Sequence, residues 1–490
     1  MRIKVILLIV LLLALGIRIY CLGKWELWYD EILAIKTAQN FRLANNSYLY
    51  YTLLYYWIKF FKFSESTVRI PSLIFSMLSI ASLYLLGKNL FNEKIALFST
   101  GLLAFNPFHI WYSQEARPYS ALVLCGILSS YFLFRGLKEK KILFLFPFTF
   151  LSVVGIYLHY FYITFLLVCL FIVLLFLFVK KQKYYVYWLT ISILIIFLFL
   201  SPWLPRFLLN LCCIIDGFWI PVPSFKSLFI TLENFNLGYN APNWAYKYSL
   251  FLTLILFLSA INFLREKKEL QSNFWLCLML FILPILFAFF FSKFLFSIYL
   301  DRALMISSPY YYLILGIGLE SIGRKKLKYF VKLSIFFLLV QSLSFYYQGI
   351  THSSLTHHTG AYVKKPIRPV INYLERRVNK NDIICIINTH VFLQFNFYKQ
   401  NKGILCFYVF SPEIWDTNWN RPHSEGNNWI PVNRLIGFDS DRIWMLFSDC
   451  PRSGKLDENS QKVKSWMDKN YLTIFEQWLD GILLKLYEKK

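Results

Sequence analysis

Two short acidic stretches of this chain are its first candidates for chemistry. Asp30 and Glu31 are adjacent, and Glu115 precedes Arg117 by two positions. A carboxylate can accept a proton from a substrate or bind a hard divalent cation, and an arginine can bind an anionic group. Each stretch directly follows an apolar run, where charge is costly in a membrane unless it is paired or functional. Both stretches are therefore candidate functional sites.

A simpler interpretation of the same residues stays open at this point. Tryptophan and tyrosine surround both stretches, and these residue types are common at membrane–water interfaces without any catalytic role. Glu115 and Arg117 are also close enough in sequence to form a local pair. Which interpretation holds depends on the elements that position these residues.

The composition indicates a membrane protein with many spans. Hydrophobic residues make up 57% of the 490 residues and charged residues only 16%, whereas soluble proteins are about 25% charged. Apolar runs of about 17 or more residues recur through residues 1–346. These features exclude a soluble enzyme, a disordered protein and a fibrous protein. The cysteines are scattered without a CxxC pair, so they indicate neither a zinc site nor a disulfide framework.

Eleven apolar segments are predicted to cross the membrane as helices. No Lys, Arg, Asp or Glu lies between Lys141 and Lys180, and one helix of that length would be about 57 Å long, twice the membrane thickness. That stretch must form two spans, with His159 near the turn. Arg18 lies near the end of the first span, where we expect its side chain to extend to the interface. The other predicted spans are 5–22, 70–87, 95–111, 119–134, 184–204, 248–264, 274–292, 303–319 and 329–346.

The basic residues set the predicted orientation. The net charge of +24 by itself would suit nucleic-acid binding, but the bases are clustered in short loops between alternate spans. The positive-inside rule makes the side with these clusters cytoplasmic. The N-terminus is then cytoplasmic and the tail extracytoplasmic, in a multi-pass protein of the cytoplasmic (cell) membrane. The clusters also favour anionic membrane lipids, and we expect no nucleic-acid partner.

Two domains are predicted. Residues 1–346 form a transmembrane domain with long outer loops at 23–69 and 205–247. Residues 347–490 have a more polar composition and are predicted to form a small extracytoplasmic α/β domain. The predicted elements of this domain are a helix at 366–379 and strands at 382–388, 442–447 and 482–487.

The first outer loop is predicted to contain two helices that lie on the membrane surface. Residues 30–42 are short and mixed in composition, and residues 48–63 are crowded with Tyr, Trp and Phe. Two such helices would form the floor of a cavity that a lipid-linked substrate enters from the side.

Several segments near the predicted span ends carry a family resemblance. They are Trp28-Tyr-Asp-Glu31, Leu53-Leu-Tyr-Tyr56, Ser64-Glu-Ser-Thr-Val-Arg-Ile-Pro-Ser72, Asn106-Pro-Phe-His-Ile-Trp-Tyr-Ser-Gln-Glu-Ala-Arg-Pro-Tyr119, Leu158-His-Tyr160 and Asp301-Arg-Ala-Leu304. In this order, over about residues 20–320, the chain resembles the family 39-type membrane glycosyltransferases. That group includes protein O-mannosyltransferases and the lipid A aminoarabinose transferase.

The resemblance implies a fold and an activity. The implied fold is a polytopic α-helical membrane protein of GT-C type, with about eleven transmembrane helices and a small C-terminal α/β domain. The implied enzyme is a hexosyl- or pentosyltransferase that takes its sugar from a polyprenyl-phosphate donor. The acceptor would be a lipid, a glycan or a protein on the outer face of the membrane.

The resemblance also implies roles for individual residues. Asp30 is expected to act as the base or to position the acceptor, and the implied catalytic set also includes Glu31 and Glu115. A divalent ion such as Mg²⁺, Mn²⁺ or Zn²⁺ held by Asp30 and Glu115 is one alternative, and catalysis without a metal is the other. We expect Asp30, Glu115 and Arg302 to meet at one outer cavity. The implied substrate-binding residues are Arg117, His159, Tyr160, Lys293, Arg302, Tyr55 and Tyr56.

Two other classes of function remain as alternatives. A transporter or flippase of lipid-linked sugars would also have many spans, but such proteins tend to show internal repeats and broken spans near the midplane. The chain shows no such symmetry, and its outer acids lie at span ends. A non-catalytic assembly protein of the cell envelope would not need the acids at positions 30 and 115.

Overall fold

In the computed structural model, the chain forms two compact units. The first unit is Met1–Leu22 with Thr37–Ala361, and the second is Gly23–Lys36 with Tyr362–Lys490. The short segment that carries Asp30 and Glu31 therefore groups with the C-terminal part of the chain. The residues that the structure describes are 2–40, 48–181, 183–205, 208–209, 220–351, 366–401, 403–412, 428–438, 440, 442–448, 456 and 458–490.

The described part of the chain before residue 350 is almost entirely helical. Strongly apolar composition favours this, because a helix satisfies its backbone polar groups within one segment. In chain order the helices are α1 (Arg2–Ile19), α2 (Tyr29–Gln39), α3 (Tyr48–Phe61), α4 (Glu65–Leu90), α5 (Glu93–Phe105), α6 (Pro107–Ser113), α7 (Tyr119–Glu139), α8 (Leu145–Leu158), α9 (Tyr162–Lys180), α10 (Lys183–Leu200), α11 (Phe225–Leu237), α12 (Asn243–Glu266), α13 (Gln271–Phe294), α14 (Asp301–Leu304), α15 (Ser308–Ser321) and α16 (Lys325–Gln348).

Each of the eleven predicted spans contains a helix. The predicted hairpin between Lys141 and Lys180 is confirmed, because α8 ends at Leu158 and α9 begins at Tyr162. Four predicted spans contain helices that are shorter or carry more charge, namely those at 5–22, 95–111 and 303–319 and the first span of the hairpin. Seven helices in the described part of the chain are long and apolar enough to cross a membrane, namely Glu65–Leu90, Tyr119–Glu139, Tyr162–Lys180, Lys183–Leu200, Asn243–Asn262, Lys268–Phe294 and Lys325–Gln348.

The predicted span at 95–111 is wrong as a single helix. Asn106 has an extended backbone and separates α5 from α6, because a residue before proline disfavours the helical conformation. Its side chain accepts a hydrogen bond from the Phe108 amide at 2.9 Å and donates to the Phe235 carbonyl at 2.7 Å. Gly238 packs directly against this break, because a Cβ at its position would lie 2.8 Å from the Phe108 nitrogen. Its φ of 65° is also a conformation that glycine adopts readily.

The expectation that Arg18 extends to the interface is also wrong. Its side chain is fully buried. The guanidinium donates to the Ala104 carbonyl at 2.7 Å, to the Leu103 carbonyl at 3.4 Å and to the Ser76 hydroxyl at 2.9 Å. Because α5 ends at Phe105, the carbonyls of its last turn have no partner within the helix. The buried guanidinium of Arg18 donates hydrogen bonds to two of them, and a positive charge is also favourable at a helix C-terminus.

The second unit contains a six-stranded sheet, which confirms the predicted α/β domain. The strand order is β3-β2-β1-β4-β6-β5, with the first four strands parallel and the last two in an antiparallel hairpin. The three predicted strands are present as β1, β4 and β6. The strands are β1 (Ile383–Ile386), β2 (Cys406–Phe410), β3 (Trp429–Pro431), β4 (Arg442–Ser448), β5 (Tyr471–Leu479) and β6 (Ile482–Lys489).

Both faces of this sheet are covered by helices. These are α17 (Arg368–Glu375), α18 (Thr389–Tyr398) and α19 (Glu458–Asn470). Alternate residues of β1 enter two cores: Cys385 packs in the core that contains Val463 of α19, and Ile384 packs in the core that contains Phe395 of α18. A central parallel strand that is buried on both faces is a continuous run of apolar residues in the sequence. For this reason β1 could be recognised from the sequence.

Candidate active site

The turn between α6 and α7 is fixed from three directions by Gln114. Its side-chain nitrogen donates to the carbonyls of Arg18 and Tyr20, both at 2.8 Å. Its side-chain oxygen accepts a hydrogen bond from the Tyr346 hydroxyl at 2.5 Å. The turn that carries Glu115 and Arg117 is therefore tied to the end of α1 and to α16.

One other segment of the family resemblance, which contains Ser72, and helix α3 also hold this turn. Ser72 on α4 donates its hydroxyl to the Arg117 carbonyl at 2.9 Å, and Tyr50 on α3 lies 2.8 Å from the same hydroxyl. The Tyr51 hydroxyl lies 3.4 Å from the guanidinium of Arg117. Segments that are far apart in the sequence thus converge on one short turn.

Arg117 and Arg302 meet at the ring of Tyr119. Each guanidinium carbon lies 5.7 Å from the centroid of this ring, within the range of a cation–π contact. The His159 ring lies 5.6 Å from the same centroid. Tyr119 and Arg302 are buried, and Arg117 and His159 are half-buried. Three of the predicted binding residues therefore lie around one aromatic side chain, which we call the Tyr119 cluster.

His159 is an uncharged member of the Tyr119 cluster. Burial, with the charges of Arg117 and Arg302 in addition, lowers the pKa of His159 to about 3. Its Nδ1 accepts a hydrogen bond from the Phe161 amide at 3.1 Å. In a neutral imidazole the proton is then on Nε2, so His159 supplies a donor without adding a third positive charge.

Asp301 lies beside Arg302 in a buried polar network. Its carboxylate accepts hydrogen bonds from the Arg302 amide at 2.8 Å, from the Tyr239 hydroxyl at 3.1 Å and from the side chain of Asn234. Tyr239 is in turn 2.7 Å from the Tyr112 hydroxyl. Burial raises the pKa of Asp301 to about 7, although Arg302 and these hydrogen bonds oppose the shift. Near neutral pH this carboxyl therefore balances the charge of Arg302 only in part.

Glu115 is buried next to the same network. Its Oε1 accepts a hydrogen bond from the Trp111 indole nitrogen at 2.6 Å. The Trp111 ring lies 5.4 Å from the Tyr239 ring, so Glu115 is close to the aromatic residues that surround Asp301. The prediction that Glu115 is catalytic stays a prediction.

Asp30 and Glu31 lie at the N-terminus of α2, within the second unit. Glu31 is buried, and its carboxylate accepts a hydrogen bond from the Trp28 amide at 3.4 Å. This is the contact of a helix-capping glutamate, which gives Glu31 a structural role. Asp30 is half-buried in the first turn of the helix. Glu115 and Arg302 belong to the first unit, so the expected common cavity stays a prediction.

The other predicted binding residues lie on three elements of the first unit. Tyr55 and Tyr56 are adjacent on α3, with ring centroids 5.2 Å apart. The Tyr160 ring lies 4.7 Å from that of Trp203. Lys293 is exposed at the end of α13, with its ammonium group 6.0 Å from the Phe289 ring. Their predicted roles stay predictions.

The structure adds residues that the sequence did not single out. Tyr119 and Gln114 lie inside a quoted motif, so the motif itself was the available signal for them. Asp301 was visible only as a neighbour of Arg302. Tyr239 lies in the segment predicted as the second outer loop, and no local pattern marks its contact with Asp301.

The described residues do not present a ready metal site. Among them, no group of three or more His, Cys, Asp or Glu side chains could hold a metal ion. Of the two predicted ligands, Glu115 is already bonded to Trp111, and Asp30 belongs to the second unit. The divalent ion expected between Asp30 and Glu115 stays a prediction.

Comparison with known families confirms the resemblance. Residues 48–205 match the family model described as dolichyl-phosphate-mannose-protein mannosyltransferase. This region includes α3 and the turn that carries Glu115 and Arg117. A comparison with characterised protein sequences finds no significant match.

Comparison with solved structures identifies the fold. ArnT from Cupriavidus metallidurans in the apo state aligns over 98% of this chain and 97% of its own, with a TM-score of 0.62 and 10% identity. The protein has a GT-C fold. ArnT bound to undecaprenyl phosphate matches this GT-C chain over the same shares, with a TM-score of 0.53 and 11% identity. The match includes the C-terminal part of the chain, because it covers nearly the whole length of both proteins.

Proposed function

We propose that the protein is an integral-membrane glycosyltransferase that moves a hexosyl or pentosyl group from a polyprenyl-phosphate donor. The acceptor would be a lipid, a glycan or a protein on the outer face of the cytoplasmic membrane. The observation that carries this proposal is the convergence of Arg117 and Arg302 on Tyr119. The GT-C fold, and the undecaprenyl phosphate bound in one ArnT structure, support a lipid-phosphate donor.

The Tyr119 cluster has the chemistry that a leaving phosphate requires. Guanidinium groups bind phosphate oxygens through paired, charge-assisted hydrogen bonds, and these are stronger where water is excluded. Arg302 is buried and Arg117 is half-buried, while the raised pKa of Asp301 limits the opposing negative charge. In this proposal Arg117 and Arg302 bind the donor phosphate, and the Nε2 proton of His159 adds an uncharged donor.

Asp30 is the proposed base. As the acceptor oxygen bonds to the anomeric carbon, its hydroxyl proton moves to the Asp30 carboxylate. The bond between the anomeric carbon and the phosphate oxygen breaks, and its electron pair stays on the phosphate. The products are the glycosylated acceptor and the free polyprenyl phosphate.

A binding experiment tests the donor site. Arg302→Ala and Arg117→Ala should each weaken binding of undecaprenyl phosphate by about 10- to 100-fold, since a hydrogen bond to a charged group contributes about 1.5–3 kcal/mol. Arg135→Ala is the control, because Arg135 lies on α7, the helix that follows Arg117, and pairs with Glu139 at 2.6 Å. Binding by both site variants at the level of the Arg135→Ala variant would overturn the assignment.

A cellular experiment tests the activity itself. Lipid-linked and surface glycans from cells with and without the protein should differ by the mass of one sugar residue on the acceptor. A flippase would instead move the intact lipid-linked sugar across the bilayer and release no polyprenyl phosphate. Transbilayer movement without release of polyprenyl phosphate would therefore favour the transporter alternative.

A further inference from the structure

One face of α18 contacts the segment that leads to Asp30. His390, Gln394 and Tyr398 are spaced four residues apart, so they lie on one side of the helix. An adjacent side of α18 packs on the sheet through Val391 and Phe395. We call the three residues the α18 face. It belongs to the same compact unit as residues 23–36.

The α18 face binds both backbone polar groups of Leu27. The Leu27 amide donates to the Tyr398 hydroxyl at 2.8 Å, and the Leu27 carbonyl accepts from the Gln394 side chain at 3.0 Å. Residues 20–28 form no regular helix or strand, and Leu27 is fully buried. Buried backbone groups outside regular structure need partners from elsewhere, and here the C-terminal domain supplies them.

A second contact holds the same segment one residue earlier. The Glu26 carboxylate accepts a hydrogen bond from the Ile367 amide at 2.7 Å and from the Arg368 amide at 3.2 Å, at the start of α17. A carboxylate at a helix N-terminus is favoured by the unpaired amides and by the helix dipole. Arg368 also lies 4.3 Å from the ring of Tyr398, which joins this contact to the α18 face.

His390 brings the α18 face to Asp30. Its ring centroid lies 4.4 Å from that of Tyr29, the residue directly before Asp30. Burial lowers the pKa of His390 to about 4, and the nearby Asp30 carboxylate opposes this shift. The ring is therefore neutral at physiological pH, and it confines the start of α2 without adding a charge beside the carboxylate.

From these contacts we infer that the C-terminal α/β domain positions Asp30 for catalysis, and that His390, Gln394 and Tyr398 are positioning residues. The inference rests on the proposed role of Asp30 as the base. It gives the C-terminal domain a function in the reaction, because a base must be held within hydrogen-bond reach of the proton it accepts. An error of about 1 Å in such a position can cost about 100-fold in rate.

Steady-state kinetics of the full-length protein in lipid nanodiscs test this inference. Tyr398→Phe and Gln394→Ala each remove one bond to Leu27 and should lower kcat by about 10- to 100-fold. KM for the lipid-phosphate donor should stay near the wild-type value, because Arg117 and Arg302 are unchanged. His390→Ala should behave like these variants, and His390→Gln should recover part of kcat. Asn396→Ala is the control, since Asn396 lies on α18 and bonds to the Phe392 carbonyl of its own helix.

Hydrogen exchange provides a readout that does not depend on turnover. The Leu27 amide donates to the Tyr398 hydroxyl, so Tyr398→Phe should speed deuterium uptake in peptides covering residues 25–31. Asn396→Ala should leave that uptake unchanged. Wild-type kcat together with wild-type uptake in the Tyr398→Phe and Gln394→Ala variants would overturn the inference.

Asp30→Asn separates this inference from the proposed function. If Asp30→Asn abolishes transfer but the α18-face variants keep wild-type kcat, the positioning role fails and the base assignment stands. If Asp30→Asn transfers sugar at the wild-type rate, the base assignment fails, and the positioning role fails with it. A parallel loss of kcat and of donor binding in the α18-face variants would show general destabilisation and would also overturn the inference.

Discussion

Arg117 and Arg302 each place their guanidinium carbon 5.7 Å from the centre of the Tyr119 ring, although they come from distant parts of the sequence. The ring attracts both cations, but a cation–π contact contributes only about 0.5–2 kcal/mol. Two like charges that are partly removed from water repel each other. An anion bound between them would offset this repulsion, which supports the proposed phosphate site.

Substitution of Tyr119 should reveal how the two arginines are held. Tyr119→Phe keeps the ring and should bind undecaprenyl phosphate with nearly wild-type affinity. Tyr119→Leu removes the ring from both guanidinium groups and should weaken binding by several-fold or more. Isothermal titration or thermophoresis in nanodiscs measures the difference, and equal affinities for the Phe and Leu variants would argue against a role of the ring.

Asp30→Asn should separate catalysis from donor binding. The amide keeps the size and polarity of the carboxylate but cannot accept the proton of the acceptor, so transfer should fall by about 10²–10⁴-fold. Binding of undecaprenyl phosphate should stay near the wild-type value, whereas Arg302→Ala should show the weaker binding. An Asp30→Asn protein that transfers sugar normally would remove Asp30 as the base.

Asp301 should make stability depend on pH in a defined direction. Burial raises the pKa of its carboxyl in the folded protein to about 7, from 3.8 in the absence of the fold. The folded state therefore binds the Asp301 proton more tightly than the unfolded state does. The contribution of the protonated Asp301 to the free energy of unfolding declines as pH rises from about 4 to about 7. Asp301→Asn does not titrate, so Tm of the variant relative to wild type should rise across that range. A difference in Tm that is constant from pH 4 to pH 8 would contradict the assignment.

Gln114 should matter for both stability and activity. Gln114→Leu leaves the Tyr346 hydroxyl and the carbonyls of Arg18 and Tyr20 without this partner, and each lost bond in a buried site costs about 1–3 kcal/mol. We expect a lower Tm and weaker donor binding, because Arg117 follows in the same turn. Gln348→Leu is the matched control, since Gln348 makes an exposed bond to Ser344. Equal Tm values for the two variants would show that Gln114 does not stabilise the turn.

Cysteine labelling tests the predicted orientation. In a variant without native cysteines, Asp480→Cys at the β5–β6 turn should react with an impermeant maleimide added to intact cells. Lys267→Cys, between α12 and α13, should react only after the membrane is permeabilised. Both positions are exposed in the structure, so a difference reports sidedness. The reverse pattern would invert the topology.

Local sequence patterns were sufficient to predict many of the elements. The charge-free stretch around His159 had to fold as a hairpin, because one helix of that length would be far too long for a membrane. β1 and β4 were recognised as short apolar runs. The break at Asn106 was missed although Pro107 was visible, because the run on both sides of it is apolar and long enough to span. The burial of Arg18 was missed because its partners, including Ala104, come from another helix.

The candidate site could be predicted only where a motif covered it. The binding roles of Arg117, His159 and Arg302 were predicted from the family resemblance, and the structure shows that these residues surround Tyr119. The contacts of Asp301 with Tyr239 and Asn234 join positions 62 and 67 residues apart, so no local pattern marks them. The contact of Leu27 with Tyr398 joins positions 371 residues apart, and no local spacing can reveal it.

The hydrogen bonds between the α18 face and Leu27 have a consequence for biosynthesis. A chain is made from its N-terminus, so Leu27 emerges from the ribosome long before Gln394 and Tyr398 do. During that interval the segment before Asp30 lacks the partners that hold it in the finished protein. If the α18 face positions Asp30 as we infer, membrane insertion and the onset of activity are separate events, and a newly inserted chain should stay inactive until the α/β domain has folded.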